Sequence, residues 1–260
     1  MELGLKGKTA LVTGASKGIG RATADALAAE GCDLVLVSRT GADLEMARAE
    51  IERLHPVGIS VEAADLSQSG IPDRLAEKFP DIDLLVNNAG AVPGGALHLV
   101  DEETWRRAWD LKVFGYVNMC RSFYAAMKAR GSGTIVNIIG NAGDTRDPDY
   151  ICGVAGNAAL TAFSQALGST SWQDGIRVLA LNPGPVATDR MKNLMRSKLE
   201  QTGATVPADE ELFQKMPFGR AGRPEEIAAA VCFLASGLSG YSSGSVTTID
   251  AGLSVRGSFG

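Results

Sequence analysis

A short β-branched and apolar run at residues 9–13 breaks at Gly14 and passes through Ala15, Ser16, Lys17, Gly18, Ile19 and Gly20 into an alanine-rich stretch that reads as helix to Glu30. Strand, glycine turn and helix in that order leave backbone N–H groups at a positive helix end, where an anion such as a pyrophosphate is favoured. A single glycine turn is equally a plain tight turn. Repetition of the pattern around it is what narrows the fold. Strands are predicted at 33–38, 60–63, 82–87, 134–139, 176–182 and 246–249, with helices at 42–55, 71–79, 104–130 and 151–170 and one opening at Arg223-Pro224-Glu225-Glu226. Asp101, followed by Glu102 and Glu103, suits the start of the long helix. Strands separated by helices require a parallel sheet with right-handed crossovers. The expectation is therefore an α/β, Rossmann-like, doubly wound parallel sheet of about seven strands, in one domain over residues 1–260. Residues 188–216, polar, Met-rich and less regular, are predicted to form a mobile substrate flap.

Composition excludes several function classes. A net charge of −5 and a pI near 5.2 argue against nucleic acid as a partner, since that binding needs a positive surface. No apolar run approaches the ~20 residues of a membrane span, so no membrane partner is expected. Cys32, Cys120, Cys152 and Cys232 stand singly, as free thiols of a reducing compartment do. The strand begins too early for a targeting segment, and a cytoplasmic location is expected. His55 and His98 lie far apart, and no metal site is predicted. Trp105, Trp109 and Phe114 recur at helical spacing and are assigned to the core or a subunit contact. Trp172 is assigned to local packing. Met191, Met195 and Met216 suit either an adaptable pocket or the filling of an irregular gap.

The end of the second strand says which dinucleotide fits. Where an NAD-binding protein places an acid on the ribose hydroxyls, this chain has Ser38, Arg39 and Thr40. Arg39 and Lys17 can meet a 2′-phosphate, so NADP(H) is the preferred cofactor, with NAD(H) possible. Asp65 after the third strand and Asn87-Asn88-Ala89-Gly90 after the fourth fall at strand C-termini, where such sheets bind their ligands.

Thr13-Gly14 with Gly18 and Gly20, Asp65, Asn87-Asn88-Ala89-Gly90, Ile135-Val136-Asn137-Ile138, Pro183-Gly184 with Thr188, and Asp250-Ala251-Gly252 follow one another along the chain. In that order they resemble the short-chain dehydrogenase/reductase family over nearly the whole length. The resemblance implies an oxidoreductase moving hydride between nicotinamide and a carbonyl or alcohol on a small-molecule substrate. It implies adenine contacts near Asp65 and Leu66, and nicotinamide contacts at Pro183, Gly184, Val186 and Thr188. It also implies a homodimer or homotetramer that pairs the helices 104–130 and 151–170, where Gly153, Ala155, Gly156, Ala158 and Ala159 permit close packing.

The family's catalytic set is not matched. Ungapped alignment between Ile135-Val136-Asn137-Ile138 and Ala158-Ala159-Leu160 puts Gly140 at the serine position, Gly153 at the tyrosine and Asn157 at the lysine; Lys112 takes the asparagine position. Three explanations compete. In a rebuilt site, Tyr150 supplies the phenol from one turn earlier, provided the helix already extends to it. Lys112 then supplies the cation, Asn157 holds ribose, and Asn141 or Asp144 contacts substrate. The competing assignment makes Tyr150 a capping or interface tyrosine and Lys112 a solvated lysine. A second explanation is hydride transfer without a strong general acid, and a third is a noncatalytic dinucleotide-binding sensor or subunit.

Overall fold

The computed structural model describes residues 2–201, 203–209 and 211–256. Its strands are β1 (Thr9–Thr13), β2 (Asp33–Ser38), β3 (Ile59–Ala63), β4 (Leu84–Asn87), β5 (Gly133–Ile138), β6 (Ile176–Pro183) and β7 (Val246–Ile249). They form one sheet ordered β3-β2-β1-β4-β5-β6-β7, and every pairing is parallel. The predicted seven-stranded, doubly wound α/β sheet is therefore found. Sequence order reverses between β1 and β4, which opens a crevice at their C-terminal ends.

Alternation of side chains along each strand feeds two cores. Ala10 and Val12 join Leu34 and Leu36 beneath α1 (Gly18–Ala29), α2 (Gly41–Leu54) and α9 (Pro224–Ala235). Leu11, Val35 and Leu85 face the other way, onto α3 (Ile71–Lys78), α5 (Gly115–Arg130) and α7 (Ile151–Gly168). Phe123 and Met119 of α5 are fully buried there, and burying each such side chain stabilises the fold by about 1.5–3 kcal/mol. At the opposite end from the crevice, Arg177 of β6 donates to the carbonyls of Leu234, Ala235 and Ser236. A guanidinium there satisfies the terminal carbonyls of α9 and complements its dipole.

Two predicted elements differ from the structure. The long helix is broken: α4 (Glu102–Trp109), capped by Asp101 through Thr104 N–H, passes through a π-helical turn, Asp110–Phe114, before α5. The flap is largely helical, with α8 spanning Asp189–Gln201. Met191, Met195 and Leu199, four residues apart, give that helix an apolar stripe against Leu212, Phe213 and Ala221. The predicted flap residues Thr202 and Glu210, like Met1 and residues 257–260 of the predicted domain, lie outside the described residues. The helix predicted from 151 does begin at Ile151, as α7, so the proviso that it extend to Tyr150 is not met: that residue is its N-cap with φ −134° and ψ 33°. A short helix, α6 (Ala142–Thr145), precedes it. Trp105 and Trp109 stack 6.3 Å apart against Val92, Ala108 and Cys152, whereas Phe114 is exposed. Trp172 is also mostly exposed, with its indole N–H donating to Ser169 O. Among the described residues no helix is long and apolar enough to cross a membrane.

Candidate active site

A groove runs over the β1 and β2 ends, lined by Gly14, Ser16, Lys17, Gly18, Ile19, Ser38, Arg39, Thr40, Leu66, Asn88, Ala89, Gly90 and Thr188. Lys17 caps α1 without a side-chain hydrogen bond, so the first turn keeps its N–H groups toward the groove. The cradle is shaped by absent side chains. A Cβ on Gly20 would lie 2.2 Å from Gly14 O, and one on Gly14 would lie 2.9 Å from Asn88 Nδ2. Asn88 and Thr13 stitch the two halves of the sheet: Asn88 Nδ2 donates to Thr13 O at 3.0 Å, and the Asn88 and Ala89 N–H groups donate to Thr13 Oγ1. These residues fit a dinucleotide. Ser38 Oγ is buried without a hydrogen-bond partner, beside exposed Arg39 and a Lys17 ammonium 3.0 Å from the Asp43 carboxylate. An unsatisfied hydroxyl flanked by two cations suits an added phosphate.

Five of the predicted cofactor residues lie outside this groove: Pro183, Gly184 and Val186 line an adjoining cavity, and Gly20 and Asp65 line neither. Gly20 acts through the close approach just described. Asp65 turns its carboxylate onto Ser67, accepting from its N–H at 3.0 Å and its Oγ at 2.7 Å. Burial works against that charge, but the Ser67 hydrogen bonds and the Arg39 charge hold the carboxyl below its usual range.

A second cavity of about 440 Å³ adjoins the groove, and Ile19, Asn88, Thr188 and Arg190 line both. Its walls include the predicted Pro183, Gly184 and Val186 together with Lys112, Gly140, Asn141, Tyr150 and Asn157, while Met191 and Leu194 of α8 cover it. The sequence thus places its rebuilt-site candidates around one space. Asp144 is the exception: its carboxylate accepts from Asn182 Nδ2 at 3.2 Å, and it lines a different cavity beside Asp250. Of the two residues offered as substrate contacts, Asn141 is the one on the wall of this cavity.

Lys112 is buried, not solvated: it is 5% exposed. The π turn carries it inward, and its stem passes so close to Gly90 that a Cβ there would sit 2.7 Å from Lys112 Cδ. Lys112 Nζ donates to Ile138 O at 3.0 Å and to Tyr116 Oη at 2.9 Å. Burial, with a smaller contribution from the Arg190 charge, pulls its pKa well below the usual lysine value. The expectation that Lys112 is the cation of the site therefore meets a physical obstacle, because desolvation favours the neutral amine. Asn157 Nδ2 donates to Gly140 O at 3.2 Å, and Asn141 Nδ2 to Asp250 Oδ2 at 3.1 Å.

Tyr150 reaches the cavity by a route the spacing did not foresee. From its cap position the ring folds back over Gly153, so that a Cβ on Gly153 would lie 2.0 Å from Tyr150 Cε1. Gly95 N–H donates to Asp149 O at 2.6 Å and steadies the preceding backbone. Burial raises the phenol pKa; the Arg190 charge and hydrogen bond oppose the rise, and Cys152 adds to it.

Arg190, the second residue of α8, was not among the sequence candidates. Its Nη1 donates to Gly90 O at 2.8 Å and its Nη2 to Tyr150 Oη at 3.3 Å. The available signal was its position two residues past Thr188, at the start of the segment that follows a strand C-terminus.

Comparison with known proteins agrees with this geometry. Residues 8–199 match the family described as short chain dehydrogenase. The chain belongs to the short-chain dehydrogenase family. Among its relatives is galactitol 2-dehydrogenase (L-tagatose-forming) of Cereibacter sphaeroides, 34% identical over 96% of both chains. The NADPH-dependent reductase BacG of Bacillus subtilis is 31% identical over 94% of this chain and 97% of its own. Among solved structures, L-sorbose reductase from Gluconobacter frateurii complexed with NADPH and L-sorbose superposes with a TM-score of 0.90 at 29% identity, covering 98% of this chain and 100% of that one. For a short-chain dehydrogenase, a groove at the β1/β4 reversal and a cavity beside it are the expected places for cofactor and substrate.

Proposed function

We propose that the protein is an NADP(H)-dependent oxidoreductase that interconverts a carbonyl and an alcohol, with Tyr150 as its proton donor and acceptor. The observation that carries this reading is the Tyr150 ring lying in the space that a side chain on Gly153 would occupy. The other phenols are committed elsewhere. Tyr116 is buried and donates to Ile138 O at 2.7 Å, Tyr124 donates to Asp174, and Tyr241 is fully exposed. Bound NADPH supplies a hydride, and its oxidised form accepts one. The α1 N–H groups hold the pyrophosphate, while Ser38 and Arg39, with Lys17 released from Asp43, take the 2′-phosphate. The Tyr150 hydroxyl holds the proton destined for the carbonyl oxygen, and its phenolate takes that proton back in oxidation. Asn157 and Lys112 fix the Gly140 and Ile138 backbone along the cavity wall. The apolar α8 side chains Met191 and Leu194 exclude water from the reacting groups.

The test is calorimetric titration with NADPH and NADH beside loss of NADPH absorbance against a panel of ketones, aldehydes and quinones. Tighter binding of NADPH and turnover of at least one carbonyl are expected. Binding without turnover anywhere in the panel overturns the enzyme assignment. Arg39→Ala is expected to weaken NADPH about tenfold, the loss of roughly 1.4 kcal/mol that one charge-assisted phosphate contact supplies. NADH, which has no phosphate there, keeps its affinity in the same calorimetry.

A further inference from the structure

Resting on the assignment of Tyr150 as the proton-carrying group, we infer that Arg190 is its positioning residue, a cation brought by α8 that holds the phenol in place and stabilises its phenolate. The geometry is direct. One arm of the guanidinium meets Tyr150 Oη at 3.3 Å and the other is anchored on Gly90 O at 2.8 Å. Both contacts lie where the cofactor groove joins the substrate cavity. Among the described residues the guanidinium bonds to a phenol and a backbone carbonyl rather than to a carboxylate, and its charge acts on the phenol oxygen.

Tyr150 depends on such a contact because it is a cap residue outside the regular backbone of α7. The helix that supplies Arg190 also holds the loop that carries the tyrosine. Lys198 of α8 pairs with Asp147 at 2.9 Å and with Asp149 at 3.4 Å. Leu194 lies so close to Gly94 that a Cβ there would be 2.8 Å from its Cδ1. α8 therefore fastens the 147–150 loop at one end and meets the phenol at the other, about 12 Å away along the helix.

The remaining charged and titratable groups around the phenol do not replace Arg190. Lys198 is balanced by Asp147 and Asp149 on the tyrosine's own loop. Lys112, across the cavity on the π turn, gives its hydrogen bonds to Ile138 O and Tyr116, and burial favours its neutral form. Cys152 of α7 pushes the phenol pKa upward. In the reductive direction the phenol O–H bond breaks and an O–H bond forms on the substrate oxygen, whose carbon has accepted hydride from NADPH. The negative charge left on Tyr150 Oη is then the charge that a guanidinium stabilises. Oxidation by NADP⁺ runs the same transfer backward.

The test titrates the phenol in the free protein by ultraviolet phenolate absorbance, with Tyr150→Phe subtracted to isolate the Tyr150 step. Arg190→Met is expected to move that midpoint up by about one unit, or beyond the titration range. This is the lower end of the 1–3 units an adjacent opposite charge produces, because Arg190 is partly solvated. Arg190→Lys keeps a cation and is expected to stay near the wild-type midpoint. For a substrate pair that turns over, the low-pH limb of the alcohol-oxidation profile, which is set by the need for phenolate, should move to higher pH in Arg190→Met and return in Arg190→Lys. An unchanged midpoint in Arg190→Met, with a normally folded circular dichroism spectrum, overturns the role of Arg190 and leaves Tyr150 standing. Full turnover in Tyr150→Phe instead removes the reading on which it rests.

Discussion

Tyr150→Phe is expected to lower turnover by about 10²- to 10⁴-fold, the range set by loss of a positioned general acid, while NADPH affinity in calorimetry stays at the wild-type value. The separation follows from position. Tyr150 lines the inner cavity and not the groove over the β1 and β2 ends. Removing its hydroxyl thus takes away proton transfer and leaves the dinucleotide cradle alone. The cost to folding is small: the hydroxyl's hydrogen bond is with exposed Arg190, and such a contact contributes about 1 kcal/mol or less. A thermal melt near that of the wild type therefore accompanies the loss. Equal turnover in the two proteins would return the chemistry to positioning by the cavity walls, without a phenol acid.

The parts of this site that the sequence made legible are those governed by local rules. Gly14, Gly18 and Gly20 sit where a strand becomes a helix, and the same strand-helix period around them dictates a parallel sheet with its crevice at β1 and β4. The helical character of α8 was also available, in the four-residue spacing of Met191, Met195 and Leu199 after Asp189, though polarity and methionine content pointed to an irregular flap. Lys112 was less accessible. Its burial depends on a π turn inside what reads as one continuous helix, and on the room left by Gly90 from a different strand end. Arg190 is harder still, because its place just past Thr188 marks only a neighbourhood and says nothing of what its guanidinium meets. Its meaning comes from the cap at Tyr150, forty residues earlier, which a tertiary fold alone brings within hydrogen-bond reach. Tyr150 lies between these cases: its spacing to Gly153 drew attention to it as a helix-face neighbour, yet the ring reaches Gly153 from outside the helix.

Gly153→Ala should abolish nearly as much activity as Tyr150→Phe, although it adds one methyl group and removes nothing. Alanine is the better helix former, and replacing a helical glycine ordinarily stabilises by roughly 0.5–1 kcal/mol. Here the new Cβ would lie 2.0 Å from Tyr150 Cε1 and 2.3 Å from Cζ, so the ring must leave. It gives up packing against the cluster of Val92, Ala108 and Cys152, a loss of about 1 kcal/mol for a partly buried ring. The two stability terms nearly cancel, and a melting temperature close to wild type is expected beside a fall in turnover of about 10²-fold or more. The double variant with Tyr150→Phe separates this displacement from a general disturbance of α7. If the methyl group acts by expelling the phenol, there is no hydroxyl left to misplace, and the double variant should be no slower than Tyr150→Phe alone, a strongly non-additive pair. Losses that multiply would mean that residue 153 harms catalysis through something other than the phenol, and the placement of the proton donor over this glycine would have to be abandoned.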